Sequence, residues 1–403
     1  MKPVPVFIFI ALILAVACQA ADRNIPTDLS GVRGANYTPA NVAASPGHHI
    51  DHWLSYSQAV TEFDLNLAKR LNLNQIRVFV PYQVYTADKE NLRRNLVHLV
   101  RAAHERGMGV MPVVGYARQW VTDTSLRPQA REWAEFLVNT LSGEPGLAFW
   151  DVMNEPDWPP TPRERVLAEF EHAKYMAGVF RELDERTPVT IGMAFVPGME
   201  ELADYVDVLS YHDYSQTRAQ IRANIERAKR FAAKVGKPVF NTEMGCIARV
   251  NPYDVTLQEH MDAGVGWYIW ELMIVRQGWG KIHGVFYEDG TVRDPSIAAA
   301  VLGFFRNRGE NILPSIPDQE GHLTEVINDG RKWLDQPDAS WSEGLDIAER
   351  GANLLEAGQL IAMRDPPTRR VDLLRKGQPD LPALRALMKE FLNALEPYKR
   401  PQQ

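Results

Sequence analysis

The sequence has little of several features that mark particular classes of protein. It carries two cysteines, Cys18 and Cys246, in 403 residues, and its formal net charge is −7 without a basic run. So few cysteines mean that the fold depends on its apolar core rather than on a disulfide framework. The acidic balance excludes nucleic acid as an expected partner. Beyond the N-terminal segment no stretch is apolar enough to span a membrane, and no Gly-x-Gly-x-x-Gly follows the first predicted strand.

The N-terminal residues predict export. Lys2 precedes an apolar run at 6–16, and the small residues of 15–21 follow at once. This run is too short for a spanning helix and is typical of a signal peptide, so we expect residues 1–20 to be removed. Lipidation of Cys18 is the alternative processing route. Either route places the mature protein in the periplasm or outside the cell.

The rest of the chain shows two patterns. From 32 to about 306, short apolar strands alternate with amphipathic helices, which predicts an α/β fold, a (β/α)8 TIM barrel in 21–309. The predicted strands are 32–37, 75–80, 110–115, 148–153, 189–194, 206–211, 239–242 and 266–270. The predicted barrel helices are 59–71, 91–106, 131–141, 163–185, 219–235 and 296–306. After a proline-bearing linker, 310–403 lacks strands and predicts a helical appendage packed on the barrel, with an independent helical domain as the alternative.

Two short carboxylate motifs stand at the ends of predicted strands. The motif at 151–156 contains Asn154 and Glu155, and the motif at 239–245 contains Glu243. A glutamate there costs stability if it points into the core, but it suits chemistry if it faces a cleft. Glycoside hydrolysis needs two such carboxyl groups around one sugar: one donates a proton to the leaving oxygen, and the other attacks or activates water. The pair therefore predicts a glycosidase site at the barrel mouth.

Polar and aromatic residues near the other strand ends suit a sugar-binding cup. The residues that we expect to contact substrate are Tyr37, Arg77, Tyr116, Trp120, Asn154, Trp158, His212, Tyr214, Trp270 and Glu271. Structural roles compete for several of them, because Arg77 could be a satisfied barrel arginine, His212 a core histidine and Trp270 barrel packing. Burial under the C-terminal helices would explain Trp120 and Trp158 equally well.

This set of residues resembles glycoside hydrolase family 5 and, more broadly, clan A of the retaining glycosidases. The resemblance covers all eight predicted strands and ends near Arg306. It implies that Glu155 acts first as the general acid and then as the base. It also implies that Glu243 is the nucleophile, held ionised by Arg77 and by the hydroxyl of Tyr214.

The resemblance assigns further roles around the attacked sugar. Asn154 would donate to the 2-hydroxyl, His212 would orient an acid or a hydroxyl, and Trp270 would form the platform beneath the ring. One element of the family pattern is missing, because a histidine usually follows strand three and 115–118 here reads Gly-Tyr-Ala-Arg. This departure bears on the subfamily and on the subsite of the attacked sugar, but not on the two glutamates.

A histidine-rich cluster in the first loop, His48, His49, Asp51 and His52, offers side chains that bind metals. Its order fits no strong motif, so we expect no metal, and the resemblance implies no cofactor. The sequence as a whole predicts an exported retaining β-glycosidase that cleaves an oligo- or polysaccharide by double displacement. A glycan-binding barrel without turnover and a transglycosylase on the same scaffold are the alternatives. The sequence leaves open the glycan, endo or exo action, and the oligomeric state.

Overall fold

The computed structural model describes residues 23–42, 48–158, 162–275, 283–305, 322–357 and 367–396. The chain divides into two compact units after Phe305. The predicted signal peptide at 1–20, including Cys18, and the predicted boundary after 309 lie outside the described residues. Within those residues no helix has the length and apolar content needed to cross a membrane.

Eight parallel strands close into a barrel in the first unit and follow the order of the sequence. The strands are β1 Arg33–Asn36, β2 Gln75–Val80, β3 Gly109–Val114, β4 Trp150–Asn154, β5 Val189–Met193, β6 Leu209–His212, β7 Val239–Met244 and β8 Gly266–Ile269. Short apolar runs form such strands because helices cover one face and the barrel interior the other, as in β5, where every residue is buried. The predicted (β/α)8 TIM barrel is confirmed.

Helices alternate with these strands. The helices of the first unit are α1 His48–Leu54, α2 Gln58–Arg70, α3 Tyr82–Ala87, α4 Lys89–Glu105, α5 Gln119–Thr122, α6 Arg127–Leu141, α7 Arg163–Leu183, α8 Met199–Leu202, α9 Arg218–Val235, α10 Tyr253–Asp262 and α11 Pro295–Val301. Helix α9 begins at a capping box formed by Thr217 and Gln220 and ends at Gly236, whose φ is 67°. Helix α10 was not predicted, because its buried residues include Glu259 and His260, which break the apolar periodicity.

Three strands, of which two are neighbours, are irregular at their C-terminal ends. The pairing register shifts between Asp151 and Asn154 on β4, at His212 on β6, and between Asn241 and Met244 on β7. Such bulges re-aim side chains beside active sites. Strand β7 also continues two residues beyond the predicted end at 242, so its glutamate lies within the strand rather than after it.

The second unit, taken by itself, is helical in its described residues. Its helices are α12 His322–Asp335, α13 Trp341–Ala357, α14 Pro367–Lys376 and α15 Leu381–Leu395, of which α14 was not predicted. Trp333 is fully buried at its centre, and the indole Nε1 donates to the carbonyl of Ser340 at 2.8 Å. A side chain at Gly344 would come within 2.3 Å of this ring, so only glycine allows α13 to approach it. The packing of these helices on the barrel stays a prediction.

Candidate active site at the barrel mouth

Arg77 lies at the centre of a hydrogen-bonded cluster inside the C-terminal end of the barrel. Its buried guanidinium donates from Nε and Nη2 to Asp151 Oδ2 at 3.0 and 2.8 Å, and from Nη2 to Asn154 Oδ1 at 2.7 Å. Nη1 donates to Asn36 Oδ1 at 2.8 Å and to Glu243 Oε1 at 2.5 Å. Burial alone would lower the pKa of Arg77, but Asp151 and Glu243 raise it above its ordinary value. One cation therefore fixes two carboxylates and two amides.

Glycine at position 192, on β5, makes room for this cluster. A Cβ there would lie 2.9 Å from both Arg77 Nη2 and His212 Nε2, and 3.0 Å from Asp151 Oδ2. The Gly192 N–H also donates to Asp151 Oδ1 at 3.0 Å. Any larger residue would push apart buried charged groups that have no free space to move into.

Glu243 has both carboxylate oxygens engaged. Oε1 accepts from Arg77, and Oε2 accepts from the hydroxyl of Tyr214 at 2.9 Å. The side chain is almost completely buried, and β7 holds its backbone. Glu243 is therefore held in one orientation.

Glu155 follows β4 and has a different environment. Its Oε1 lies 2.7 Å from His212 Nδ1, and its backbone φ of 49° is in the left-handed region. Burial raises the pKa of Glu155 to about 7, although the charges of Arg249 and Arg77 oppose this rise. Burial also lowers the pKa of His212 to about 4, with Glu243 acting in the opposite direction. Glu155 can therefore both hold and release a proton near neutral pH beside a neutral imidazole.

The two glutamates face each other across the mouth of the barrel. One oxygen of Glu155, one oxygen of Glu243 and a ring nitrogen of His212 all lie within 4.8 Å of one another. His212 Nδ1 is 3.5 Å from Glu243 Oε2. In the described part of the chain, no other group of three or more side chains has metal-ligating atoms this close together. The guanidinium of Arg77 on Glu243 opposes a metal cation there, so the cluster suits acid–base chemistry better.

One wall of the cup is aromatic. Trp270 follows β8, is half-buried, and meets the ring of Phe79 edge to face at 5.9 Å between centroids. His49, from the first-loop cluster, stacks on Phe79 at 4.3 Å between ring centroids. The predicted platform therefore has a supporting layer that includes a histidine considered as a metal ligand.

Glu271 is a buried carboxyl group directly after Trp270. The two residues are joined by a cis peptide bond, and the Oε2 atom of Glu271 has no hydrogen-bond partner among the described residues. Burial, together with the neighbouring charge of Glu243, raises its pKa well above the ordinary value. Only 1% of its surface is exposed, and its contact with substrate stays a prediction.

Three aromatic residues predicted for the cup contact other parts of the barrel unit. The Tyr37 hydroxyl donates to Asp64 at 3.0 Å, and Trp120 packs on Tyr82 at 4.4 Å between ring centroids. Both are 1–2% exposed, and their contact with substrate stays a prediction. Tyr116 is half-buried, and its hydroxyl lies 3.5 Å from a carboxylate of α7.

A cleft of about 600 Å³ continues from the cup along the loops after β4 to β7. Its lining residues are Trp158, Ala194, Phe195, Val196, Pro197, His212, Asp213, Tyr214, Ser215, Gln216, Asn224, Arg227 and Arg249. Trp158 was predicted to contact substrate and lines the cleft. Arg249 was not predicted, because a single arginine in a loop gives no sequence signal. Asp151 was also missed, although a charged residue inside an apolar strand is visible in the sequence.

The comparisons with known proteins rest on structure. No family model matches the sequence, and no match to it was found among curated proteins. A GH5_18 variant from Streptomyces cattleya in complex with Manβ1-4GlcNAc is 20% identical, with 70% of this chain and 82% of that chain covered and a TM-score of 0.56. The exo-β-1,4-mannosidase Op5Man5 from Opitutaceae bacterium strain TAV5 is 17% identical, with 79% and 75% covered and a TM-score of 0.53.

A third solved structure is a hyperthermophilic endo-β-1,4-glucanase in complex with substrate. It is 16% identical, covers 69% of this chain and 98% of that chain, and has a TM-score of 0.53. At identities this low, the structural likeness shows that the fold is shared and nothing more. What this chain shares with these solved structures is the (β/α)8 barrel.

Proposed function

We propose that this chain is a retaining β-glycoside hydrolase that cleaves β-linked glycans. The observation that carries the proposal is the facing pair of Glu155 and Glu243, which bring one oxygen each within 4.8 Å. Retaining enzymes place their two carboxyl groups about 5–5.5 Å apart, whereas inverting enzymes need about 6.5–9.5 Å to admit a water molecule between them. The short separation favours direct attack by one carboxylate on the sugar.

The two glutamates would take the following roles. Protonated Glu155 donates to the glycosidic oxygen while Glu243 attacks the anomeric carbon, which forms a glycosyl ester and releases the leaving sugar. Glu155, now a carboxylate, accepts a proton from water as that water attacks the same carbon and frees Glu243. A pKa of about 7 allows Glu155 to perform both steps near neutral pH.

The neighbouring side chains support these roles of the two glutamates. Asn154 Oδ1 accepts from Arg77, so its amide NH₂ remains to donate to the sugar 2-hydroxyl. Tyr214 and Arg77 hold Glu243 from two sides, which keeps it aligned for attack. Trp270 offers a half-buried indole face, which suits the C–H face of a pyranose.

Two of the solved structures with this fold guide the choice of substrates. One holds Manβ1-4GlcNAc, and the other is described as an exo-β-1,4-mannosidase. β-Mannosides are therefore the first substrates to test, followed by β-glucosides, β-xylosides and β-galactosides. The N-terminal pattern supports an exported enzyme, so the glycan would be met outside the cytoplasm.

The test is hydrolysis of aryl β-glycosides and β-glycans by the chain from residue 21 onward. Proton NMR of the first product should show the β-anomer, as retention requires. A 2-deoxy-2-fluoro β-glycoside should leave its sugar on the peptide that contains Glu243, as peptide mass spectrometry would show. The α-anomer as first product would overturn retention. Binding without turnover would favour the glycan-binding alternative, and transfer to an added sugar at high yield would favour the transglycosylase.

A further inference from the structure

The guanidinium of Arg249 forms no salt bridge within 4 Å among the described residues, although its charge acts on Glu155 nearby. The hydrogen bonds of this residue come from its backbone: its N–H donates to Cys246 Sγ at 3.3 Å, and its carbonyl accepts from Gln216 at 3.1 Å. By contrast, Arg77 donates to four side chains, and Arg227 pairs with an exposed glutamate of α8 at 3.1 Å. The guanidinium of Arg249 is therefore available to a ligand.

Two aromatic rings hold this guanidinium. Its central carbon lies 4.3 Å from the ring centre of Tyr214 and 5.0 Å from that of Trp158. All three residues line the cleft that continues from the cup. Ring faces orient a guanidinium by cation–π attraction while its N–H edge stays free, and that edge matches the two oxygens of a carboxylate or a sulfate.

The charges around the cleft favour an anion. Its charged lining residues are Asp213, Arg227 and Arg249, together with the neutral His212. Asp213 is buried, and its Oδ1 accepts from a backbone N–H and from Asn224, so this carboxylate belongs to the wall. Because Arg227 is paired with Glu200, Arg249 is the lining cation that has no salt bridge among the described residues.

The same cleft suits a sugar ring. Phe195, on the loop after β5, is 45% exposed on the cleft lining, where its ring can contact the apolar face of a pyranose. The cleft begins at His212, which contacts the acid Glu155. Because the acid protonates the oxygen of the departing sugar, the space on its side holds the leaving group.

We infer that this cleft binds a leaving-group sugar that carries a negative charge, and that Arg249 recognises the charge. The ligand chemistry is a planar or tetrahedral oxyanion on a pyranose, either the carboxylate of a uronic acid or a sulfate ester. The inference rests on the proposed function, since it assigns the substrate class of the same site. Arg249 thereby becomes the specificity-determining residue for the leaving group.

The experiment compares disaccharides that share one β-linked sugar and differ in the leaving unit: a neutral hexose, its uronate, or its sulfate ester. For the native chain we expect kcat/KM to favour one charged form by roughly 10- to 100-fold at low salt. This is the fold-change that one hydrogen bond to a charged group typically contributes to affinity. Added salt should reduce this preference. The favoured form identifies the anion. In Arg249→Gln the ratio should fall to about 1.

The matched control is Arg230→Gln. Arg230 lies on α9, is exposed, and pairs with Glu226 at 3.5 Å, so its replacement removes the same charge outside the cleft. This variant should keep the native preference. If Arg230→Gln loses the preference as fully as Arg249→Gln does, net charge and not recognition is responsible, and the inference is overturned.

Calorimetry separates this inference from the proposed function. The Glu243→Gln protein is titrated with the same disaccharides, with and without Arg249→Gln. Tighter binding of a charged disaccharide that requires Arg249 supports the recognition even if the native chain hydrolyses nothing, a result that would remove the proposed function alone. Hydrolysis of neutral β-glycosides with no preference for either anion, in turnover and in binding, would overturn the inference alone.

Discussion

The protonation of Glu155 should set the alkaline limit of activity. Its pKa of about 7 means that about 90% of the enzyme carries the required proton at pH 6 and about 10% at pH 8. Because the acid must donate to the leaving oxygen, kcat/KM for a sugar leaving group should fall about tenfold per pH unit above 7. This parameter reports the pKa of the acid in the free enzyme.

The assay is a pH profile of kcat/KM between pH 5 and 9 with two substrates. A disaccharide needs protonation of its leaving group and should show the full alkaline fall. A dinitrophenyl β-glycoside needs little protonation, so its profile should stay nearly flat over the same range. A disaccharide profile that is flat to pH 9, or an alkaline limb that persists in Glu155→Gln, would refute the assignment of Glu155 as the acid.

The same pKa has a consequence for stability. Because the folded value of about 7 lies above the ordinary value of 4.5, the folded state binds the proton more tightly. The resulting stabilisation is complete below pH 4.5 and is lost as the pH rises through 7. The difference corresponds to about 3 kcal/mol as an upper limit. Glu155→Gln stays neutral, so its unfolding free energy relative to the native chain should rise by up to that amount between pH 5 and 8 in urea titrations.

Three further outcomes are expected. Glu243→Gln should abolish turnover while keeping glycan binding by calorimetry, whereas Glu155→Ala should keep partial activity on a dinitrophenyl glycoside and regain rate with azide. Arg77→Met should lower the unfolding free energy by about 3–5 kcal/mol in urea, because Asp151 and its partner glutamate lose their shared cation in a buried site. Trp333→Ala should destabilise the helical unit by about 3–5 kcal/mol, followed by circular dichroism.

The two stability predictions have matched controls. Arg101→Met removes an exposed arginine paired with Glu144 at 2.7 Å and should cost less than about 1 kcal/mol. A similar cost for the two arginine variants would mean that the barrel cluster is not a buried charge network. Trp341→Ala replaces a tryptophan that is packed only at the edge of the same helical core, and it should cost less than Trp333→Ala.

The sequence predicts the barrel and the two glutamates for separate physical reasons. Strands buried on both faces appear as short apolar runs, so their number and order are visible without any long-range information. A glutamate that interrupts such a run marks a site, since burying it without a purpose is costly. The pairing of Arg77 with Asp151 cannot be predicted in this way, because the barrel brings together residues that are 74 positions apart.

The details around the site depend on tertiary structure. Aromatic residues near strand ends have the same sequence appearance whether they face the cup, as Trp270 does, or the core, as Trp120 does. Bulges on β4, β6 and β7 shift the alternation of side chains by a residue, and no local pattern announces them. The guanidinium of Arg249 lies on two aromatic rings and forms no salt bridge among the described residues. Its position in the sequence reveals neither property.

The left-handed backbone of Glu155 has a consequence for protein engineering. A φ of 49° costs a side-chain-bearing residue about 1–2 kcal/mol, and burial of its carboxylate adds to that cost at alkaline pH. Glycine at this position would remove both the backbone strain and the cost of burying a carboxylate. A thermostability screen run without an activity assay should therefore select early for variants that have lost the acid. Such a variant would be a more stable barrel that still binds glycans and no longer cleaves them.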